Sequence, residues 1–82
     1  MNFNIYFMPR ADKDMEKLNA PERDKIFEKI LALRQDLFGD VKKLTNMNPR
    51  YRLRVGNYRV LFNVEANKVI VERIMHRSNA YK

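Results

Sequence analysis

Four arginines in the second half of the chain have the residue type and spacing to hold phosphate groups. Arg52, Arg54 and Arg59 stand at alternating positions in two predicted strands, and Arg77 follows the last predicted strand. Side chains of one parity share a face of a sheet, so these guanidinium groups should lie together. Guanidinium offers planar, bidentate donors and keeps its proton near neutral pH. The pattern favours a phosphate-binding face; the alternative is the ordinary solvated side of a half-covered sheet.

Two further residues could complete such a site. His76 is the only histidine of the chain and is the candidate for proton transfer, because histidine titrates near neutral pH. The alternative is a structural residue at a strand end. Tyr81 could stack on a base or donate its hydroxyl group, and its alternative is an anchor for the end of the chain.

The acidic residues, the cysteines and the glycines limit the chemistry. Residues 42–82 hold only two carboxylates, Glu65 in a predicted turn and Glu72, so no Mg²⁺ cluster is predicted there. The chain has no cysteine and two glycines, so we expect neither a thiolate metal site nor a glycine-rich phosphate loop. We expect no cofactor. If RNA is cleaved, the expected route is attack of its own 2′-OH on the adjacent phosphate, with proton transfer at both ends.

The positive charge is confined to one half of the chain. Residues 1–41 carry seven Lys or Arg and eight Asp or Glu, a net charge of −1, whereas residues 42–82 carry ten and two, a net charge of +8. A one-sided basic field is typical of a protein with a polyanionic partner. The alternative is a basic surface with no role in nucleic-acid binding.

The elements that must position these residues begin with two helices. A strand is predicted over residues 3–8, a short helix over 10–18 and a longer helix over about 21–36. Asn19 followed by Glu22 three residues later is typical of a helix N-terminus. The apolar face of the longer helix is expected to contain Ile26, Ile30, Leu33 and Leu37, widened by Phe27 and Leu31. Residues 38–49 are predicted to be a loop.

The rest of the chain is strand-like. Strands around 51–55 and 58–64 are joined by a Gly56-Asn57 turn, and a last strand covers 68–76. Alternation in that last strand places Ile70 and Ile74 on one face. Four residues are expected on the opposite face: Val69, Val71, Arg73 and Met75. The order β-α-α-β-β-β predicts an α+β fold, with two N-terminal helices packed on one face of a small, antiparallel-rich sheet.

Length and hydropathy set the remaining limits. A chain of 82 residues, 45% of them hydrophobic, allows one small domain. Its apolar runs are too short to span a membrane, and its N-terminus is too short and polar for a signal peptide. A single domain over residues 1–82, without membrane association and cytoplasmic, is therefore expected.

Several of these segments together resemble a known family. The run from Tyr51 to Val60, Tyr-Arg-Leu-Arg-Val-Gly-Asn-Tyr-Arg-Val, followed by a strand, Met75-His-Arg77 and Tyr81, resembles the RelE toxins of the RelE/ParE superfamily. The resemblance covers essentially the whole chain. It implies the toxin of a type II toxin–antitoxin pair, which enters the ribosomal A site and cuts mRNA without a metal ion. The implied partners are a RelB-like antitoxin, the ribosome with its mRNA, and operator DNA only through the toxin–antitoxin complex.

The resemblance also implies roles for individual residues. Arg52 and Arg54 occupy positions where the best-studied type has lysines that help to activate the 2′-OH and hold the phosphate. Arg59 matches a phosphate-binding arginine, and Arg77 matches the arginine credited with stabilising or protonating the leaving group. Tyr81 resembles the C-terminal tyrosine that stacks on the substrate base, although its spacing from Arg77 is shorter here.

Two questions stay open at this point. Arginine stays protonated near neutral pH and is a poor general base, so either another group such as His76 is the base, or the chemistry depends on electrostatics and on alignment by the ribosome. The activity class is the second question. ParE-like members share the fold but poison DNA gyrase, and Arg77 with Tyr81 favours the RelE activity over theirs. A further alternative is a non-catalytic nucleic-acid-binding module.

Overall fold

The computed structural model contains two helices and one mixed sheet, and it describes residues 2–35, 37 and 40–80. The strands form one sheet in the order β1-β5-β4-β3-β2; β1 runs parallel to β5, and the other neighbours are antiparallel. This arrangement confirms the predicted α+β fold. Neither helix in the described part of the chain is long and apolar enough to cross a membrane. The elements are β1 (Asn4–Phe7), α1 (Pro9–Glu16), α2 (Ala20–Ala32), β2 (Val41–Lys43), β3 (Tyr51–Val55), β4 (Tyr58–Glu65) and β5 (Lys68–His76).

Local signals set both ends of α2. The Asn19 side chain accepts a hydrogen bond from the Glu22 N–H at 3.0 Å, which confirms the predicted cap. The helix ends at Ala32, earlier than the predicted residue 36. The Leu33 N–H bonds to the Ile30 carbonyl, which tightens the last turn, and the Arg34 carbonyl accepts from the Phe3 N–H at 2.7 Å. Phe3, the residue before β1, thus takes a carbonyl that a longer helix would have used.

The core lies between the helices and one face of the sheet. The predicted helix residues Ile26, Ile30 and Leu33 are almost fully buried, and Leu37 packs at their edge. Fully buried sheet residues meet them, among them Val60, Phe62, Val69 and Val71. The predicted widening of the helix face is wrong, since Phe27 is 43% exposed and Leu31 is 39% exposed. Phe27 stacks at 6.2 Å between ring centroids on Phe7 of β1, which is partly buried at the edge of this core.

One strand was missed in the predicted loop over residues 38–49. β2 is a short edge strand that pairs with β3, where Val41 lies opposite Leu53 and Lys42 lies opposite Arg52. Three residues are too few for alternation to be visible in the sequence, and only the pairing with β3 makes them a strand. Residues 38 and 39 lie outside the described part of the chain.

An irregularity in β5 overturns the predicted faces of that strand. Leu61 of β4 pairs with Arg73, whereas the next residue, Phe62, pairs with Val71, so Glu72 has no partner in the ladder. A bulge of this kind shifts the alternation by one residue. Ile74 therefore follows Val69 and Val71 into the core, instead of sharing a face with Ile70 as predicted.

Asp14 of α1 holds β5 beyond the bulge. β1 ends at Phe7, and from there α1 covers the open edge of β5. The Asp14 carboxylate accepts the Ile74 N–H at 2.9 Å and the Arg73 Nε and Nη2 at 2.8 and 3.2 Å. Burial raises the pKa of Asp14, but these hydrogen bonds outweigh it and hold that pKa below its usual value.

Candidate nucleic-acid interface

The sheet face opposite the helices carries rows of positive charge. In the ladder, Arg54 lies opposite Arg59, and Lys42 lies opposite Arg52. These four residues are called the arginine face below. Like charges placed directly opposite each other destabilise a sheet unless something neutralises them. An anion on this face would remove that repulsion.

Arg59 is held by the turn that precedes it. Its Nη1 donates to the Gly56 carbonyl at 3.0 Å and to the Tyr58 carbonyl at 2.9 Å. Gly56 makes this turn at a φ of 57°, in the left-handed region where glycine carries no steric penalty. The rest of the guanidinium makes no hydrogen bond to the described residues. Arg59 is thus oriented by backbone and keeps donors for a phosphate oxygen.

Arg52 is half-buried and incompletely bonded. Its cross-strand neighbours are Lys42 and Leu61, and its Nε is buried without a hydrogen-bond partner among the described residues. Leaving a buried donor unsatisfied costs roughly 1–3 kcal/mol. Leu61 is only 6% exposed although it lies on this face, between Arg52 and Arg73, because long arginine stems cover apolar surface.

Arg54 differs from the other two because a carboxylate balances its charge. Its Nη2 lies 3.1 Å from Asp40 Oδ1, and its N–H donates to the Asp40 carbonyl at 3.0 Å. Both side chains are more than half exposed, so the ion pair contributes at most about 1 kcal/mol. Asp40 therefore reduces the positive field at one end of the arginine face.

Arg77 lies beside the turn that holds Arg59. Its N–H donates to the Asn57 carbonyl at 2.8 Å, one residue past the end of β5, and its side chain is exposed. Arg77 and Arg59 therefore lie at the same turn, at one end of the sheet. Tyr81 lies outside the described residues, and its predicted role stays a prediction; Ala80 before it is buried.

The structure does not bring His76 together with the arginines. His76 pairs with Tyr58, and the two rings meet edge to face at 5.6 Å, on the helix side of the sheet. Its Nδ1 lies 2.9 Å from the Ser78 Oγ and accepts the Ser78 N–H. On the same side, the Glu22 carboxylate raises the pKa of the Tyr58 hydroxyl.

Sequence reasoning missed a polar network at the opposite end of the arginine face. Asn63 Oδ1 accepts the Arg50 N–H at 2.8 Å, and its Nδ2 donates to Asn48 Oδ1 at 3.0 Å and to Glu72 Oε2. Asn63 has the same parity on β4 as Arg59, so the Glu72 carboxylate lies on the arginine face. Alternation placed Asn63 correctly, but no local signal joins it to Glu72.

The described residues bring no three His, Cys, Asp or Glu side chains together in a group that could hold a metal ion. Each acidic side chain near the arginines instead has its own separate partner. Asp40 pairs with Arg54, Asp14 pairs with Arg73, and Glu72 bonds to an amide. The site offers fixed cations, hydrogen-bond donors and the Glu72 carboxylate, which has no cationic partner within the described part of the chain.

Comparison with known proteins places this chain in a family. Residues 5–81 match the family described as ParE toxin of type II toxin-antitoxin system, parDE. The whole chain is 31% identical to the putative toxin RelE1 of Methanocaldococcus jannaschii and covers 98% of it. A 46-residue stretch, 56% of the chain, is 41% identical to toxin RelE3 of the same organism and spans only 52% of that relative's length.

The solved structures agree with this assignment. A crystal structure of the RelB-RelE antitoxin-toxin complex from Methanococcus jannaschii matches with a TM-score of 0.77 and 29% identity, over 93% of this chain and 94% of that chain. The class defined by fold and sequence is that of small toxins from type II toxin–antitoxin systems. This chain belongs to that family as a RelE-type member.

Proposed function

We propose that this protein is an endoribonuclease that cuts mRNA in the ribosomal A site without a metal ion and so inhibits translation. The observation that carries the proposal is the pair of like-charged rows on the arginine face, Lys42 opposite Arg52 and Arg54 opposite Arg59. Such rows cost stability in the free protein and suit a phosphate backbone. Membership among RelE-type toxins supports the same activity.

The proposed reaction is attack of a ribose 2′-OH on the adjacent phosphate. Arg52 and Arg59 bind the phosphoryl oxygens and stabilise the negative charge that grows on them in the transition state. Arg54 extends the binding surface along β3. Arg77, next to the Arg59 turn, stabilises the charge on the leaving 5′-oxygen. Tyr81 stacks on a substrate base in this proposal.

The test is to map cleavage in living cells. The toxin is induced, and the 5′ ends of one translated message are mapped with and without an inhibitor of translation. The proposal expects cuts inside codons that disappear when translation is blocked or when Arg59 is replaced by alanine. Cuts that persist without translation would contradict the ribosome dependence, and a message that stays intact would contradict nuclease activity.

The proposed partner is a RelB-like antitoxin. The solved structure from Methanococcus jannaschii is a RelB-RelE antitoxin-toxin complex, and the basic half of this chain suits an acidic segment that folds on binding. Association should then be fast and salt-sensitive. An association rate that is equal at low and high salt would contradict docking of the antitoxin on the arginine face. Action on ribosomes implies a cytoplasmic protein, with operator DNA bound only through the toxin–antitoxin complex.

A second candidate function is poisoning of DNA gyrase, because the matching family is described as ParE toxins. The two activities leave different damage. A gyrase poison produces DNA breaks and loss of supercoiling while messages stay intact, whereas the proposed nuclease produces cut messages first. A protein that binds RNA and shows neither damage is a non-catalytic binding module.

A further inference from the structure

We propose that Glu72 is the general base of this reaction, accepting the proton of the attacking 2′-OH. The inference rests on the proposed nuclease function and names the group that the arginines cannot supply. A fixed cation at neutral pH has no site for a proton. His76, the other candidate, contacts Tyr58 on the opposite side of the sheet.

The bulge in β5 gives Glu72 its position. Glu72 is the residue without a partner, between the Leu61–Arg73 and Phe62–Val71 pairs. Its side chain contacts Asn63, which lies two residues from Leu61 on the same face of β4. Leu61 is in turn opposite Arg52. The carboxylate is therefore about one side-chain spacing, roughly 7 Å along the strand, from the row that contains Arg52.

The network around Asn63 orients this carboxylate. The Asn63 side chain accepts a hydrogen bond from the Arg50 N–H and donates to Asn48 and Glu72. Its amide group cannot rotate without losing these hydrogen bonds. Glu72 is half-buried, and Asn63 bonds only its Oε2. Supporting hydrogen bonds of this kind hold a reacting group in one geometry before the substrate arrives. No described residue bonds the second carboxylate oxygen, which is therefore available to accept a proton.

Glu72 is also a carboxylate near the arginine face that forms no ion pair with any cation in residues 2–35, 37 and 40–80. Between described residues, Asp40 forms an ion pair with Arg54, and Asp14 forms one with Arg73. Glu65 is exposed at the turn between β4 and β5. A carboxylate without an ion pair keeps its lone pairs for a substrate hydroxyl.

The step balances without a co-reactant. Glu72 takes the proton of the 2′-OH while the 2′-oxygen forms a bond to phosphorus and the bond from phosphorus to the 5′-oxygen breaks. The leaving 5′-oxygen takes a proton from water, and Glu72 returns its own proton to the solvent. The products are a 2′,3′-cyclic phosphate and a 5′-hydroxyl end, and nothing is oxidised or reduced. Arg52 and Arg59 stabilise the phosphorane charge throughout.

The test measures single-turnover cleavage of mRNA on programmed ribosomes by the purified toxin. Glu72→Gln keeps the size and the acceptor oxygen that faces Asn63, so folding and ribosome binding should be unchanged. Loss of a general base lowers the rate roughly 10²–10⁴-fold. Glu65→Gln is the matched control, the other carboxylate in the second half, and should cut at the wild-type rate.

A second variant separates proton transfer from a structural role. Glu72→Ala should be slow, and added formate, a small carboxylate, should restore part of its rate, whereas formate should not affect an Arg59→Ala protein. A Glu72→Gln protein that cuts within a few-fold of wild type overturns the assignment while leaving the nuclease intact. Slow cutting by both Glu72 variants without rescue by formate also overturns it, in favour of a structural role. A wild-type protein that does not cut overturns the proposed function and this inference with it.

Discussion

Arg54 and Arg59 form a directly opposed cross-strand pair on β3 and β4, and each guanidinium has a different partner. Arg54 is balanced by the Asp40 carboxylate, whereas the partners of the Arg59 guanidinium among the described residues are all backbone carbonyls. Carbonyls orient a guanidinium without cancelling its charge. The two residues therefore differ in how strongly they attract a phosphate.

Removing the uncompensated arginines should abolish toxicity without unfolding the protein. Arg59→Ala or Arg77→Ala removes charge-assisted hydrogen bonds worth about 1.5–3 kcal/mol each, or roughly 10- to 150-fold in activity. Growth after induction gives the measurement, with circular dichroism to check the fold. Lys13→Ala, on the exposed side of α1, is the control and should stay toxic. Full toxicity of either arginine variant at equal expression would show that its side chain binds no essential phosphate.

Removing Asp40 should strengthen binding to RNA. In Asp40→Ala the charge of Arg54 is no longer balanced, so affinity for a single-stranded RNA oligonucleotide should rise a few-fold at low salt, and the gain should fade as salt increases. Stability should fall by less than about 1 kcal/mol, because the ion pair is exposed. Asp12→Ala on α1 is the control. An unchanged affinity would mean that Arg54 does not contact the RNA.

Asp14 should make the fold sensitive to acid. The pKa of this carboxyl lies below its usual value of 3.8 in the folded chain, so its contribution is complete above that value and is lost as the pH falls through the lowered pKa. Urea unfolding from neutral pH down to about pH 2 should show a steep acid decline. Asp14→Asn should flatten that decline and lower the stability at neutral pH by roughly 1–3 kcal/mol. An acid decline as steep in Asp14→Asn as in the wild type would show that the Asp14 bonds to Arg73 and Ile74 do not cause it.

His76 should affect the chemistry little. Its ring packs against Tyr58 on the helix side, so His76→Ala should cut within a few-fold of wild type and bind ribosomes normally. Single-turnover cleavage on programmed ribosomes gives the comparison, with Glu72→Gln beside it. A rate loss of roughly 10²-fold or more in His76→Ala, with ribosome binding intact, would instead make the histidine the base.

Local patterns in the sequence predicted the elements well. The Asn19 cap, the Gly56-Asn57 turn and the alternation of β3 and β4 each depend on residues a few positions apart, and the structure contains all three. The same alternation brought Arg52, Arg54 and Arg59 to one face. Helix residues Phe27 and Leu31 were assigned to the core because periodicity alone cannot say how wide the covered face is.

What could not be predicted depends on contacts between distant residues. The alternation of β5 fails at its bulge, and Asp14, 60 positions before Ile74, bonds to the strand beyond that bulge. The link between Asn63 and Glu72 also follows from that bulge. β2 is a strand only because β3 lies beside it. None of these features leaves a periodic trace in the sequence, and two of them shape the candidate site.

The short edge strand β2 has a consequence for solubility. An exposed edge offers unpaired N–H and C=O groups to any other strand, and long apolar edges lead to aggregation. β2 is three residues long and ends in Lys42 and Lys43, both exposed, so a second copy that added its own β2 there would bring lysine against lysine. The charge that suits a polyanion thus also keeps copies of the chain from joining edge to edge.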